Sequence, residues 1–199
     1  MFFSKNRALK ITCVISLLMI TFVYHRYINA ENNTHQIKFG ATYMTMNNTF
    51  YKAVNNEIEN VINDHGDILY TRDPALDAKK QEEQINDLID LGIDVLIVNP
   101  VESSTINKTL KKVKKAGIKI IVVDAPISDD QIADCTVVSD NYDAGVKCAL
   151  DMMQRFEKAR IVLLEHQNVL SAVDRINGFK DTVSTNENYQ IVGSADCLG

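Results

Sequence analysis

The sequence predicts an α/β fold built on parallel, doubly wound sheets, and two observations carry that prediction. From residue 37 onward, short apolar runs alternate with polar turns and helix-period segments. Two of those stretches, "DVLIVNP" at 94–100 and "IKIIVVDAP" at 118–126, hold unbroken apolar runs, VLIV and IIVV, as strands covered by helices on both faces do.

The elements follow in order. "IKFGATY" (37–43) reads as a first strand, and Phe50, Val54, Ile58, Val61 and Ile62 mark one face of the helix behind it. "DILY" is a second strand. "DAKKQEEQINDLIDLG" places Ile85, Leu88 and Ile89 at helical spacing and stops at Gly92, a suitable helix cap. After "DVLIVNP", a helix carrying Ile106, Leu110 and Val113 is closed by Gly117, and "IKIIVVDAP" is the next strand. "CTVVSDN" then leads into a helix from 142 to about 157. Strand "RIVLLE", a helix with Val169, Val173, Ile176, Phe179 and Val183, and strand "YQIVGS" complete the series. Right-handed crossovers would place helices on both sides of the sheet.

The first thirty residues differ from the rest. Lys5, Arg7 and Lys10 precede the uncharged run "ITCVISLLMITFVY" (11–24), and "YINA" ends at Ala30. This is the layout of a secretory signal peptide, although Ile28 is larger than the usual residue at its position. The run is shorter than the roughly 20 residues of a spanning helix. Residues 1–30 are therefore read as a signal peptide cleaved after Ala30, or else as a retained membrane anchor; Cys13, inside the run, does not suit a lipid anchor. Cleavage would remove four cations and no acid, taking the formal charge from −5 to −9. So acidic a chain argues against nucleic-acid and anionic-membrane partners. Cys135, Cys148 and Cys197 have no metal-site spacing, and Cys148 reads as a buried helix residue.

In open parallel sheets, ligands bind beyond the carboxyl ends of the strands. There the sequence places Asn47 to Tyr51, Asn99, Asp124, Ser139 to Asn141 and His166 to Asn168. Amides and carboxylates pair with neighbouring hydroxyls, and aromatic rings lie against the C–H face of a sugar. The set suits a neutral polyhydroxylated ligand. No glycine-rich phosphate loop, nucleophile motif or metal spacing accompanies it, so neither a cofactor nor an enzyme is expected.

The segments "MNNTFY", "QINDLIDLGIDVLIVNP", "AGIKIIVVDAPI", "VVSDNYDAG" and "RINGFKD", in this order, resemble the type I periplasmic sugar-binding proteins, near their ribose-binding group. The resemblance runs from about residue 37 to 194 and implies two Rossmann-like lobes closing over a sugar. It divides the chain into residues 35–140 as the N-terminal lobe and 141–199 as part of the C-terminal lobe, truncated after its first elements. On this basis the chain is a fragment or a frameshifted product. The resemblance also implies ligand contacts at Asn48, Phe50, Tyr51, Asn99, Asp124, Asp140 and Arg175, with His166 as a substitute contact. Ala125, Met44 and the turn "EHQN" depart from the family pattern and point to a less hydroxylated sugar or a cyclic polyol.

The expected function is extracytoplasmic binding of a sugar or polyol for uptake by an ABC permease. The protein would be an exported monomer in the periplasm or on the outer face of the cytoplasmic membrane. The alternatives are a ligand-sensing module for a membrane histidine kinase or chemoreceptor, and a non-functional truncated product. A repressor built on the same core would need a basic helix-turn-helix where this chain has an apolar run.

Overall fold

The computed structural model describes residues 14–25 and 36–197; Lys5, Arg7, Lys10, Cys13 and Ala30 lie outside them. Residues 14–25 form a helix, α1, within a unit of the chain separate from residues 37–199. Among the described residues no helix is long and apolar enough to cross a membrane.

The second unit begins with a five-stranded parallel sheet. It contains β1 (Lys38–Thr42), β2 (Ile68–Arg72), β3 (Val95–Val98), β4 (Lys119–Asp124) and β5 (Cys135–Val138), in the order β2-β1-β3-β4-β5. The helices between them are α2 (Thr49–Asp64), α3 (Ala78–Asp90) and α4 (Asn107–Lys115). The order reverses at β1 and β3, so a crevice opens beyond the ends of those two strands.

Local chemistry sets the boundaries. Asn48 caps α2 through the Phe50 amide, and Asp77 caps α3 through the Lys80 amide. Gly92 and Gly117 take positive φ, 69° and 81°, where α3 and α4 turn back into strands. One core cluster joins Ile85, Leu88, Leu96, Leu110, Val113, Ile120 and Val122. A second lies on the opposite side and includes Ala41, Tyr43, Met44, Tyr51 and Ile97.

A smaller layer follows, with α5 (Asn141–Arg155), β6 (Ala159–Glu165), α6 (Leu170–Val183) and β7 (Tyr189–Asp196). β6 and β7 form a parallel pair with a register shift at Ile161/Val162. Helices α5 and α6 meet where neither has a side chain. A Cβ on Gly145 would fall on the Arg175 carbonyl and lie 2.9 Å from the Phe179 nitrogen, and one on Gly178 would fall on the Tyr142 carbonyl. Val162 and Leu164 on β6 are 64% and 69% exposed, so one face of this sheet is open apolar surface.

Two expectations need correction. Phe50 and Val61 are exposed, because the buried stripe of α2 runs through Tyr51, Asn55 and Ile62, with Val54 and Ile58 partly covered. The helix is rotated so that Tyr51, not Phe50, enters the core. Cys148 is exposed as well: α5 buries Gly145 and Ala149, which places Cys148 against the uncovered side of β6.

Candidate functional site

At the carboxyl end of β4 the backbone makes a sharp reversal. The Ala125 N–H donates to the Val123 carbonyl at 2.8 Å across Asp124, whose φ is 66°. A three-residue turn of this hand is rare and strained for a residue with a Cβ. It turns the Asp124 carboxylate toward the ends of β1 and β3, and the surrounding hydrogen bonds hold it there.

Asn99, directly after β3, has no exposed surface. Its Oδ1 accepts from the Met44 N–H at 3.1 Å, while its Nδ2 donates to the Val123 carbonyl at 3.1 Å and to Asp124 Oδ2 at 3.3 Å. All its polar atoms thus have protein partners. Gln81, buried on α3, fixes the same corner by donating to the Asn99 carbonyl at 2.9 Å and accepting from the Val101 N–H at 2.9 Å. A glutamine within a helical run carries no sequence signal of this role.

Tyr51 reaches the carboxylate from α2, donating to Asp124 Oδ2 at 3.1 Å. Its ring stacks on Tyr43 with centroids 5.9 Å apart and meets Phe50 edge-on at 5.4 Å. Burial pushes the Tyr51 phenol well above its ordinary value, and the Asp124 charge and hydrogen bond push it the same way, so the group stays protonated. Burial alone moves Tyr43 up to about 12.

These residues surround a cavity of about 390 Å³. Phe50, Tyr51 and Asp124 line it together with Ser139, and Val54, Ile58, Val137 and Val138 form an apolar wall. Of the expected site residues, these three are the ones the cavity brings together. Asn48 stands outside at the helix cap, exposed, its Oδ1 accepting from the Phe50 N–H at 2.9 Å.

The second layer supplies the others. Asp140 is exposed and caps α5 through the Asp143 N–H at 2.9 Å. Arg175, on α6, donates from Nε to Asn141 Oδ1 at 2.8 Å, and its positive charge opposes the rise at the Tyr51 hydroxyl. Asn141 in turn donates to the Ser139 carbonyl at 3.0 Å. His166 lines a different, smaller space of about 100 Å³ beside Glu165, Asn177 and Lys180. There Lys180 donates to Glu165 Oε1 at 2.7 Å and Gln167 to Oε2 at 3.1 Å, which holds the Glu165 carboxyl below its ordinary range.

The two layers touch beside the cavity. Ser103, buried after β3, donates its N–H to the Asn168 carbonyl at 3.1 Å, and its hydroxyl accepts from the Leu170 N–H at 3.2 Å. Val169 packs into the core cluster that holds Tyr51 and Met44. Among the described residues no group of histidine, cysteine and carboxylate side chains could hold a metal ion.

Residues 39–198 match the family described as periplasmic binding protein domain. The ribose import binding protein RbsB of Bacillus subtilis (strain 168) is 27% identical over 151 residues, 75% of this chain and 49% of that protein. The chain thus spans about half the length of this relative. A solved ABC transporter solute-binding protein from Mycobacterium smegmatis, with bound glycerol, is 31% identical with a TM-score of 0.73, over 81% of this chain and 57% of that one. The fructose-binding periplasmic domain of a hybrid two-component system shares the fold at 22% identity with a TM-score of 0.77, over 82% and 55%. With the matched segment covering both sheets and the cavity between strand ends and α2, the chain belongs to the periplasmic binding protein domain family.

Proposed function

We propose that this chain is the ligand-binding part of an exported solute-binding protein that takes a small sugar or cyclic polyol for an ABC permease. The observation that carries the reading is the placement of Asp124. One carboxylate, fixed in a strained turn by Asn99 and Tyr51, faces a 390 Å³ cavity flanked by the exposed ring of Phe50. A cavity of this size accommodates a monosaccharide. The carboxylate accepts a ligand hydroxyl and Phe50 covers a ring face, while Arg175, held through its Nε on α6, adds a positive charge from the second layer.

Binding without turnover is the expected chemistry, since the cavity pairs its carboxylate with a phenol held protonated and not with a base or nucleophile. Calorimetry with D-ribose, D-galactose, D-fructose, glycerol and myo-inositol tests the reading. One of these should bind and be recovered unchanged, whereas the absence of any heat of binding would overturn it.

A second reading, presentation of ligand occupancy to a membrane histidine kinase, is favoured by the shared fold of the hybrid two-component sensor domain. The two readings take the same ligand class and differ in whether the amino-terminal segment stays in the membrane.

A further inference from the structure

The Tyr51 hydroxyl lies 3.1 Å from Asp124 Oδ2 and 3.3 Å from the Met44 sulfur, with one proton to give. An ionised carboxylate accepts far more strongly than a thioether, so the proton goes to Asp124. Asn99 Nδ2 donates to the same oxygen at 3.3 Å. Oδ2 therefore has a protein donor for each of its lone pairs. Oδ1 has no protein donor among the described residues, and it is the oxygen left for a ligand.

We propose that Tyr51 sets the ligand class of this site: its hydroxyl fills one oxygen of Asp124, so the site selects a sugar or polyol deoxygenated beside the hydroxyl that Asp124 binds over one presenting a vicinal hydroxyl pair at that place. The proposal rests on the reading of this cavity as a sugar site. A vicinal pair engages a carboxylate best with one hydroxyl on each oxygen. Here the second hydroxyl would give up its water and meet an oxygen already occupied, an uncompensated desolvation.

Three further observations agree. Tyr51 is only 8% exposed and is held between the rings of Tyr43 and Phe50, so its hydroxyl cannot readily swing away. The side chains of Val123, Val137 and Val138 line the cavity beside Asp124 and offer contact to a ligand carbon, with Tyr43 and Ser139 as the other hydroxyl-bearing residues of the lining. Ala125, next in the chain and fully buried, adds no donor that could take the second hydroxyl instead.

The test is calorimetric titration of D-ribose and D-galactose, each against its own monodeoxy forms, with the unmodified protein and with Tyr51→Phe. In the unmodified protein at least one monodeoxy form should bind as tightly as its full sugar or more tightly. Tyr51→Phe keeps the ring and frees Oδ2, and should move that ratio about tenfold toward the full sugar. A ratio that Tyr51→Phe leaves unchanged overturns the proposal. So does an unmodified protein that prefers the full sugar to every monodeoxy form by about tenfold or more. Should the unmodified protein bind none of these sugars and none of D-fructose, glycerol and myo-inositol, the sugar reading itself falls, and that outcome is distinct from a wrong selectivity; should it bind D-fructose or myo-inositol instead, the same comparison is made with that ligand and its monodeoxy forms.

Discussion

Arg175 Nε donates to Asn141 Oδ1 at 2.8 Å, and Asn141 Nδ2 donates to the Ser139 carbonyl at 3.0 Å. The arginine of α6 is thereby tied to the segment joining the two sheets. Asn141 is buried and stands one residue past the cap of α5, so its side chain can change while the Asp140 to Asp143 cap bond remains. Asn141→Ala should speed solvent exchange of the Arg175 Nε proton, read by NMR, and weaken sugar binding by about 1 kcal/mol. Asn141→Asp keeps the acceptor and should restore slow exchange. Equal exchange rates in all three proteins would remove the positioning role.

Asp124 combines a cavity-lining carboxylate with a positive φ, and two substitutions separate those properties. Asp124→Ala and Asp124→Gly should both weaken sugar binding by roughly 1–3 kcal/mol through loss of the acceptor. In thermal melts the glycine variant should be the more stable of the two by roughly 1 kcal/mol, since glycine enters this region without strain. Tight binding by either variant would remove Asp124 from the site.

Lys180 and Glu165 give a prediction in pH. The folded carboxyl lies below its ordinary value because Lys180 and Gln167 donate to it. Its contribution to stability is thus fully present above the unfolded value, about 4.3 for glutamate, and is lost as pH falls through the lower folded value. The difference in melting temperature between the unmodified protein and Lys180→Met should be constant from neutrality to about pH 5 and should shrink in more acidic buffer. A difference that grows on acidification would contradict the pairing.

Processing at the amino terminus separates the importer from the sensor. N-terminal sequencing of envelope protein should begin at Glu31 if Ala30 is the cleavage boundary. Intact Met1 in the membrane fraction would favour the anchored sensor.

Much of the fold is legible in the sequence because its signals are local. "DVLIVNP" and "IKIIVVDAP" each hold an unbroken apolar run, VLIV and IIVV, and the observed strands Val95–Val98 and Lys119–Asp124 contain those runs, in the interior of the sheet. Gly92 and Gly117 punctuate where expected. The errors lie where one apolar stripe had to be chosen from two. On α2, Phe50 and Val61 looked like core, yet Tyr51 and Asn55 point inward because Tyr51 stacks on Tyr43 and Asn55 accepts from the Thr71 hydroxyl at 2.8 Å. Cys148 looked buried because free thiols are common in cores, but helix contact at Gly145 and Gly178 leaves it on the outward side. Gln81 and Ser103 left no trace in the sequence, since they act through partners 18 and 67 residues away, and Asn141, legible as a strand-end residue, gave no sign that it holds Arg175, 34 residues on.

The bare contact between Gly145 and Gly178 brings two backbones together with no side chain to act as a cushion. Sliding or rolling at such a joint drives main chain into main chain, a steep repulsion compared with the soft give of interleaved leucines. Helices α5 and α6 are consequently welded into one stiff arm with Asn141 at its base and Arg175 along it. Arg175, bonded through its Nε to Asn141 within the same arm, takes its position from the pair of helices together and not from either one alone.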